Sequence, residues 1–292
     1  MRIGIYFAYW EHDWAGNYHE YIDRVADLGF DTLELSCASL PESDSELRSL
    51  GRHAHERGIT LTTGYGPTKD VDLSSPEPSV VKRGLEKFAV LFRKLELLNA
   101  TIIGGGLYSY WPVDYSLPFD KRSRWDTSVA NVRKAASLAS DHGITMCMET
   151  LNRFESYLIN TAEECRRFVS EVGSGNVGIM LDTFHMNIEE DSFRSAIVTA
   201  GGLLQHVHLG EANRRVPGKG RLPWDEIGAA LHDISYDGAC VMEPFVMPGG
   251  TIGHEIRVWR ELEKDTSAQA LDEDARQSLT FIRRAFGAER SE

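Results

Sequence analysis

Residues 144–182 read ITMCMETLNRFESYLINTAEECRRFVSEVGSGNVGIMLD, and this stretch contains the repeating unit of the chain. A short, mostly apolar run, Ile144–Met148, is followed by an amphipathic stretch, Ala162–Val172, and then by a second apolar run, Val177–Leu181. Short apolar runs bounded by turn residues are typical of buried strands, and apolar residues at helical spacing are typical of a packed helix. The stretch therefore predicts a strand–helix–strand unit.

The same alternation extends in both directions along the chain. Further strands are predicted at Ile3–Ala8, Thr32–Ser36, Ile59–Thr63, Thr101–Ile103, Leu204–Val207 and Ala239–Met242. Further helices are predicted at Tyr18–Leu28, Ser45–Arg57, Ser79–Leu98, Ser128–His142, Ser192–Ala200 and Trp224–Ile234, with a C-terminal helix at about 270–287 and a long loop from Ser109 to Arg124. Eight consecutive units favour a closed barrel of parallel strands over an open sheet. We predict an α/β fold, a (β/α)8 barrel, with residues 1–292 as a single domain.

Composition and charge exclude several classes of function. The chain has 31 Lys and Arg against 44 Asp and Glu, a net charge of −13, and no basic run. Such a surface repels a phosphate backbone, so no nucleic-acid partner is expected. No apolar stretch approaches the roughly 20 residues of a membrane span, and the N-terminus has no charged leader. We therefore expect no membrane partner and a cytoplasmic location. The four cysteines show no CxxC spacing, which disfavours a zinc cluster or a redox dithiol.

The ends of four predicted strands carry potential metal ligands. The fifth to eighth strands end in or run directly into Glu149, Asp182, His208 and Glu243. Because the active site of such a barrel lies at the carboxyl ends of its strands, all four side chains can point into one mouth. Three carboxylates with one imidazole suit Mn²⁺, Co²⁺ or Mg²⁺ better than a thiolate-preferring ion. We predict one divalent metal ion per chain.

The positions of the two glutamates predict the reaction. Their strands, the fifth and the eighth, are three steps apart around the ring, so Glu149 and Glu243 face each other across the barrel. Opposed carboxylates can remove a proton from one face of a carbon and return one to the other face, which inverts that carbon. A divalent ion stabilises the enediolate formed between these two proton transfers. We therefore predict that Glu149 and Glu243 are catalytic as well as metal ligands, in the epimerisation of a small sugar.

Other side chains near these strand ends suit the binding of a sugar. Glu155, His185 and Arg214 follow the predicted ligands closely and could bind hydroxyl groups, although each could instead form a salt bridge within a loop. Tyr6, Trp14, Trp111 and Phe245 are aromatic residues at strand ends or in loops, where they could stack on a sugar or pack in the core.

Two further features near the strand ends have structural interpretations. His206 shares a strand face with His208, and we expect it to be a packed barrel residue rather than a fifth ligand. Gly104, Gly105 and Gly106 lack the spacing of a phosphate-binding loop. We expect these three glycines to allow close approach of the backbone to a ligand or to a neighbouring loop.

Six segments make the chain resemble a known family. They read GIYFAYWEHDW (4–14), IGGGLYSYWPVDY (103–115), METLNRFESYLINTA (148–162), MLDTFHMNIEEDS (180–192), HVHLGEANRRVPGKGRLPW (206–224) and VMEPFV (241–246). In these segments the chain resembles the ketose 3-epimerases, the D-psicose (D-allulose) and D-tagatose 3-epimerase group within the xylose-isomerase-like barrels. The resemblance extends over nearly the whole chain.

The resemblance implies a role for each site residue. It implies that Glu149, Asp182, His208 and Glu243 hold Mn²⁺ or Co²⁺, and that the two glutamates are the acid–base pair. It further implies that Glu155, His185 and Arg214 bind the ketose near O1 to O3, and that Trp111, Tyr6, Trp14 and Phe245 line the pocket. The expected reactions convert D-fructose to D-psicose and D-tagatose to D-sorbose. The expected assembly is a homodimer or homotetramer.

The chain departs from the family pattern in three places. Tyr65 stands where relatives often have histidine or cysteine, and Gly106 stands where alanine or threonine-like residues are frequent. Both departures bear on the pocket wall and on substrate preference. Met247 and Pro248 stand where a basic residue is common, and they bear on loop stiffness or subunit contacts.

Three alternatives remain open from the sequence. An aldose–ketose isomerase of the same barrel class would share the metal but would move the proton between C1 and C2. A barrel endonuclease acting on abasic DNA would need several zinc ions and a basic face, which the net charge of −13 and the single ligand set disfavour. A non-catalytic sugar-binding protein would bind the ketose without exchanging its C3 hydrogen.

Overall fold

The structure, a computed structural model, describes residues 1–287. Within them, eight parallel strands close into a barrel in which each strand pairs with the next along the chain and the last pairs with the first. The strands are β1 (Arg2–Tyr6), β2 (Thr32–Ser36), β3 (Thr60–Gly64), β4 (Ile102–Gly105), β5 (Thr145–Glu149), β6 (Val177–Asp182), β7 (Leu204–Leu209) and β8 (Ala239–Met242). The predicted (β/α)8 barrel is confirmed.

Helices follow the strands along the chain. They are α1 (Tyr18–Leu28), α2 (Asp44–Glu56), α3 (Pro78–Leu98), α4 (Lys121–Ser140), α5 (Ala162–Val172), α6 (Thr183–Glu189), α7 (Phe193–Ala200), α8 (Trp224–Asp233), α9 (Gly250–Glu255) and α10 (Ala268–Ala285), with 3-10 turns at Phe7–Trp10, Cys37–Ser39, Lys69–Val71 and Gly201–Leu203. None of the helices within residues 1–287 has both the length and the apolar character needed to span a bilayer.

Helix α4 corrects one prediction. We predicted a loop from Ser109 to Arg124 and a helix from Ser128, but the helix begins at Lys121. Its start is set by Asp120, whose carboxylate accepts hydrogen bonds from two backbone N–H groups of the first turn. Such an N-cap satisfies donors that have no partner within the helix. Trp125, directly after the predicted loop, is buried on this helix.

Smaller corrections concern the first strand and the C-terminus. The predicted strand Ile3–Ala8 ends at Tyr6, and the next four residues form a 3-10 turn. The C-terminal helix predicted at about 270–287 begins at Ala268, where Ser267 caps it, and ends at Ala285. Residues 288–292, which the single-domain prediction included, lie outside the described residues. The short helices α6 and α9 were not predicted.

The strands form a core that is buried on both faces, as parallel strands covered by helices must be. Every residue of β2, β6 and β8 is buried. All four cysteines are free and buried, and Cys147 and Cys240 lie within the strands of the core.

The register of the strands determines where the site lies. Asp182 is paired with His208 across β6 and β7, and Glu149 is paired with Met180 across β5 and β6. Glu149 and Asp182 are the last residues of β5 and β6, and His208 is the last but one of β7, so these three side chains lie at the same end of the barrel. In barrels of this kind the carboxyl ends of the strands carry the active site.

The packing of α3 generates a prediction. A Cβ atom on Gly84, in the middle of α3, would lie 2.5 Å from the carbonyl oxygen of Val71. Within a helix, alanine is normally more favourable than glycine by about 1 kcal/mol. Forcing an extra methyl group into a well-packed core, however, costs about 1–3 kcal/mol. We expect Gly84→Ala to lower the melting temperature measured by circular dichroism.

The control for this prediction is Gly175→Ala. A Cβ atom on Gly175 meets no described atom within 4 Å, so this variant should melt close to the wild type. A Gly84→Ala variant as stable as the Gly175→Ala variant would contradict the proposed close contact.

Candidate active site

A cavity of about 330 Å³ opens at the carboxyl ends of the strands. The predicted site residues that line it are Tyr6, Trp14, Trp111, Glu149, Glu155, His185, His208, Arg214, Glu243 and Phe245. Asp182 lies beneath this lining, fully buried, with its Oδ2 4.0 Å from His208 Nδ1. The structure therefore brings all the predicted site residues together at one mouth of the barrel.

His208 lies at the centre of the predicted ligands. Its Nδ1 is 3.3 Å from Glu243 Oε1, 3.9 Å from Glu149 Oε1 and 4.0 Å from Asp182 Oδ2. Glu149, Asp182 and His208 each offer one ligand atom within 4.8 Å of the others. Glu243 lies beside this group of three, and the cluster therefore presents three carboxylates around one imidazole nitrogen.

The donor atoms of this cluster fit a divalent cation. Among the described residues, Asp182 Oδ2 and His208 Nδ1 are buried without a hydrogen-bond partner. Leaving such atoms unpaired is costly, and coordination to a cation would satisfy both. Ligand atoms around a bound metal are roughly 3–3.6 Å apart, close to the separation of His208 Nδ1 from Glu243. Oxygen donors with a single imidazole suit Mn²⁺, Co²⁺ or Mg²⁺.

The electrostatics of the cluster also favour the binding of a cation. Burial raises the pKa of Glu149 well above its usual range, and the carboxylates of Glu243 and Asp182 raise it further, against the opposing effect of His208. Burial lowers the pKa of His208, but Glu243 and the buried Glu34 outweigh this effect and hold that pKa well above its usual range. A divalent cation would lower both pKa values, because nearby positive charge favours the deprotonated forms of its ligands.

The two predicted catalytic glutamates approach the cluster from different sides of the barrel. Glu149 is the last residue of β5, and Glu243 directly follows β8, three strands away in the closed ring. Glu243 Oε2 lies 3.4 Å from Arg214 Nη1, whereas Glu149 Oε1 lies 3.9 Å from His185 Nε2. The surroundings of the two carboxylates therefore differ.

The hydrogen bonds of His185 fix which of its nitrogens faces the cluster. Its Nδ1 accepts hydrogen bonds from the backbone N–H of Asn152 at 3.2 Å and from the Asn152 side-chain amide at 2.7 Å. Because a backbone N–H can only donate, the ring proton lies on Nε2. That nitrogen is 3.8 Å from Asp182 Oδ2 and 3.9 Å from Glu149 Oε1. His185 therefore presents an N–H donor to the cavity.

Glu155 forms a polar group with its neighbours on the cavity wall. Its carboxylate accepts hydrogen bonds from Trp111 Nε1 at 3.0 Å and from Asn152 Nδ2 at 3.0 Å, and it lies 3.4 Å from Arg214 Nη2. Burial raises the pKa of Glu155, but His185 and Arg214 outweigh burial and hold it below its usual range. The cavity thus carries an ionised carboxylate beside a guanidinium, both suited to sugar hydroxyls.

Aromatic rings form another part of the cavity lining. The ring centroids of Tyr6 and Phe245 are 6.3 Å apart, those of Trp14 and Phe245 are 6.0 Å apart, and those of Trp14 and Trp111 are 6.4 Å apart. Trp14 also donates its indole N–H to the carboxylate of Glu255, the last residue of α9. These contacts hold apolar faces toward the space above the ligand cluster.

The positions that depart from the family pattern divide into two groups. Tyr65 and Gly106 line the cavity, as the sequence predicted for residues of the pocket wall. Met247 and Pro248 are not among the described residues that line it. The prediction of close approach at the glycines is confirmed at Gly105, where φ is +122° and a Cβ atom would lie 2.3 Å from the carbonyl oxygen of Tyr65.

Sequence reasoning missed Glu34, which lies in the middle of β2. Its carboxylate bonds to Nε2 of both His206 and His208 at 2.6 Å. Burial raises the pKa of Glu34, but the two imidazoles outweigh burial and hold it far below its usual range. The available signal was a charged residue inside the apolar strand TLELS. His206 is a fully buried barrel residue as predicted, although its Nδ1 has no partner among the described residues.

The barrel and its mouth define a known class of protein. Residues 22–280 match the family described as xylose isomerase-like TIM barrel. Within this class, the chain is 52% identical to a D-psicose 3-epimerase of Enterocloster bolteae, over 98% of this chain and 96% of that protein. It is 51% identical to a D-psicose 3-epimerase of Agrobacterium fabrum, over 98% of this chain and 100% of that protein.

A solved structure gives the same result. The crystal structure of D-psicose 3-epimerase with D-tagatose from Clostridium cellulolyticum H10 superposes with a TM-score of 0.97 at 50% identity, covering 98% of this chain and 99% of that one. The chain therefore belongs to the ketose 3-epimerases of the xylose isomerase-like TIM barrel family, and it is an isomerase-class enzyme, a carbohydrate epimerase.

The ligand cluster generates a prediction about metal binding. A ligand present at a hundredfold excess over its Kd stabilises the folded state by about 2.7 kcal/mol. We expect Mn²⁺ or Co²⁺ to raise the melting temperature of the metal-free protein by several degrees. Asp182→Asn should lose this increment, because an amide is a much weaker ligand for these ions than a carboxylate.

Asp72→Asn is the matched control. Asp72 is also a buried carboxyl group, but it bonds to Ser74 outside the cavity. This variant should melt at a lower temperature than the wild type and keep the full metal-dependent increment. An undiminished increment in Asp182→Asn would show that Asp182 is not a ligand.

Proposed function

We propose that this enzyme catalyses the metal-dependent epimerisation of free ketohexoses at C3, converting D-fructose to D-psicose (D-allulose) and D-tagatose to D-sorbose. The observation that carries the proposal is the convergence of Glu149 and Glu243 on His208 Nδ1 from strands three apart in the ring. The names of the relatives support this choice of substrates, since they are D-psicose 3-epimerases and one was crystallised with D-tagatose.

The reaction consists of two proton transfers at C3. One glutamate, as a carboxylate, removes the C3 proton, and the electron pair of that C–H bond moves toward C2 to form a cis-enediolate. The other glutamate, as a carboxylic acid, gives its proton to the opposite face of C3, which inverts that centre. General acid–base catalysis of this kind contributes about 10²–10⁴-fold for each positioned group. A bound divalent ion supplies the positive charge that stabilises the negative charge developing on the sugar oxygens.

The residues beside the cluster would hold the sugar near O1 to O3. His185 offers an Nε2–H donor and Arg214 offers a guanidinium, while the ionised carboxylate of Glu155 accepts from a hydroxyl group. Fixing the sugar in this way holds C3 between the two glutamates, and such positioning removes much of the entropic barrier. The aromatic wall of Tyr6, Trp14, Trp111 and Phe245 would cover the sugar and exclude water.

Glu149, Asp182, His208 and Glu243 would hold the metal, and Mn²⁺ or Co²⁺ is the proposed ion. The family resemblance supports this choice of ion. It also supports a homodimeric or homotetrameric assembly, which we propose for this enzyme. The proposed location is the cytoplasm.

Incubation of D-fructose with the enzyme and Mn²⁺ in D₂O tests the proposed reaction. We expect D-psicose to form with deuterium at C3, while D-fructose recovered at early times keeps its protium, because the proton added differs from the proton removed. Glu149→Gln and Glu243→Gln should each lower kcat by at least about 10²-fold, since each removes an acid–base group. The exposed Glu96→Gln on α3 is the control and should leave kcat unchanged.

Other products would contradict this reaction. Deuterium at C1 with an aldose product would establish an aldose–ketose isomerase instead. If the protein binds the metal but exchanges no hydrogen of any ketose with the solvent, it is a sugar-binding protein rather than an epimerase. Mn²⁺ titrations of both glutamine variants are needed beside the kinetics, because these glutamates are also proposed ligands.

A second prediction concerns the binding of the sugar. Glu155→Gln replaces an ionised acceptor with a neutral amide beside Arg214. A hydrogen bond to a charged group contributes about 1.5–3 kcal/mol, so kcat/KM for D-fructose should fall about 10–150-fold. The Mn²⁺ Kd should stay within about twofold, because Glu155 is not a proposed ligand.

Glu189→Gln is the matched control for Glu155→Gln. Glu189 pairs with Arg153, two residues from Glu155, and is not among the described residues that line the cavity. It should change kcat/KM little. Equal losses in the two variants would mean that Glu155 acts only through the shape of its loop.

A further inference from the structure

Glu34 connects two strands across the barrel interior, beneath the ligand cluster. Its Oε1 lies 2.6 Å from His208 Nε2, and its Oε2 lies 2.6 Å from His206 Nε2. Thr62 on β3 donates its hydroxyl to Oε2 at 2.8 Å. In the closed ring, β2 and β7 are separated by β1 and β8, so these bonds cross the barrel rather than join neighbouring strands.

The surroundings seal this carboxylate from solvent. Glu34 and His206 are fully buried, and His208 is 2% exposed. A Cβ atom on Gly64 would lie 3.4 Å from Glu34 Oε1 and 3.8 Å from the Tyr6 hydroxyl, which are ordinary van der Waals distances, so the carboxylate packs directly against β3. Glu34 is not among the described residues that line the cavity, and the ring of His208 stands between it and the ligand cluster. It therefore cannot touch the sugar.

The hydrogen bonds determine the orientation of the His208 ring. A carboxylate only accepts hydrogen bonds, so the nitrogens that face Glu34 carry the protons. Both imidazoles thus place Nε2–H toward Glu34. The other nitrogen of His208, Nδ1, is then the one directed at Glu243, Glu149 and Asp182, and it has no hydrogen-bond partner among the described residues.

We propose that Glu34 is a positioning residue for the metal site: it holds His208 so that Nδ1 is the ligand atom, and His206 holds Glu34 in turn. The inference rests on the proposed metal site. Histidine ligands generally need such a partner on their second nitrogen, and its loss typically weakens metal affinity about 10–100-fold. One oxygen for each imidazole leaves the carboxylate no freedom to rotate.

The test compares Glu34→Gln with Thr62→Val by titration of the metal-free proteins with Mn²⁺. Each imidazole faces a different oxygen of Glu34, and glutamine replaces one of these oxygens with an NH2 group, so in the same position it can accept from only one imidazole. We expect the Mn²⁺ Kd of Glu34→Gln to rise about 10–100-fold. Thr62→Val removes only the hydroxyl bond to Oε2 from the same core, and its Kd should stay within about twofold.

Two further readouts separate positioning from stability alone. With saturating Co²⁺, the visible absorption spectrum of Glu34→Gln should differ from that of the wild type, because the imidazole is no longer held in one orientation. With saturating Mn²⁺, the KM for D-fructose should be unchanged, because Glu34 lies outside the cavity. A folded Glu34→Gln variant with wild-type Mn²⁺ affinity and Co²⁺ spectrum would overturn the proposal. It would mean that Glu34 only stabilises the fold.

A crystal structure of the Mn²⁺-loaded wild-type enzyme tests the proposal even if Glu34→Gln does not fold. We expect the metal on His208 Nδ1 with Glu34 still bonded to Nε2. A metal bound through Nε2, with Glu34 displaced, would overturn the proposal. A wild-type protein that binds neither Mn²⁺ nor Co²⁺ would instead reject the proposed metal site itself, so the two failures are distinguishable.

Discussion

The arrangement of the site depends on one constraint, the crowding of carboxylates in the buried mouth of a closed barrel. The register of the parallel strands places Asp182 beside His208 and brings Glu149 and Glu243 within 4 Å of the same imidazole nitrogen. Like charges in a buried place are costly unless opposite charge balances them. Arg214 provides one positive group at 3.4 Å from Glu243, but it lies on one side of the cluster. A cation among the ligands is the simplest way to balance the rest.

The same constraint relates metal binding to catalysis. In the proposed reaction two carboxyl groups exchange roles, one ionised and one protonated, in each direction. Burial and the neighbouring carboxylates raise the pKa of Glu149, which disfavours the ionised form that removes a proton. A divalent ion would oppose that effect, because nearby positive charge favours the ionised carboxylate. In the proposed reaction, a divalent ion would thus favour the ionised form of the base as well as supply positive charge that stabilises the enediolate.

The sequence predicted what depends on periodicity and on strand ends. The alternation of apolar runs and amphipathic stretches predicted the closed barrel, and the residue at the end of each strand predicted the cluster around His208. Contacts between distant parts of the chain were not predictable in this way. Glu34 bonds to residues 172 and 174 positions away, and only the closed ring brings them together. The start of α4 was predicted too late, because the residues before it have the composition of a loop. In the structure the N-cap Asp120 begins the helix at Lys121.

The segment between β7 and α8 explains how Arg214 can be in place before a sugar arrives. The fully buried Glu211 accepts hydrogen bonds from four N–H groups of this segment, those of Gly218, Arg221, Leu222 and the Trp224 indole. A Cβ atom on Gly220 would lie 2.0 Å from Glu211 Oε2, so glycine is needed there.

Arg214 has a left-handed φ of 64°, and its guanidinium lies 3.6 Å from the centroid of the Phe184 ring. A strained backbone conformation persists when the surrounding structure fixes it. Here the buried carboxylate of Glu211 fixes the segment that carries Arg214. Arg214 is therefore oriented by the fold, and binding a sugar need not order it.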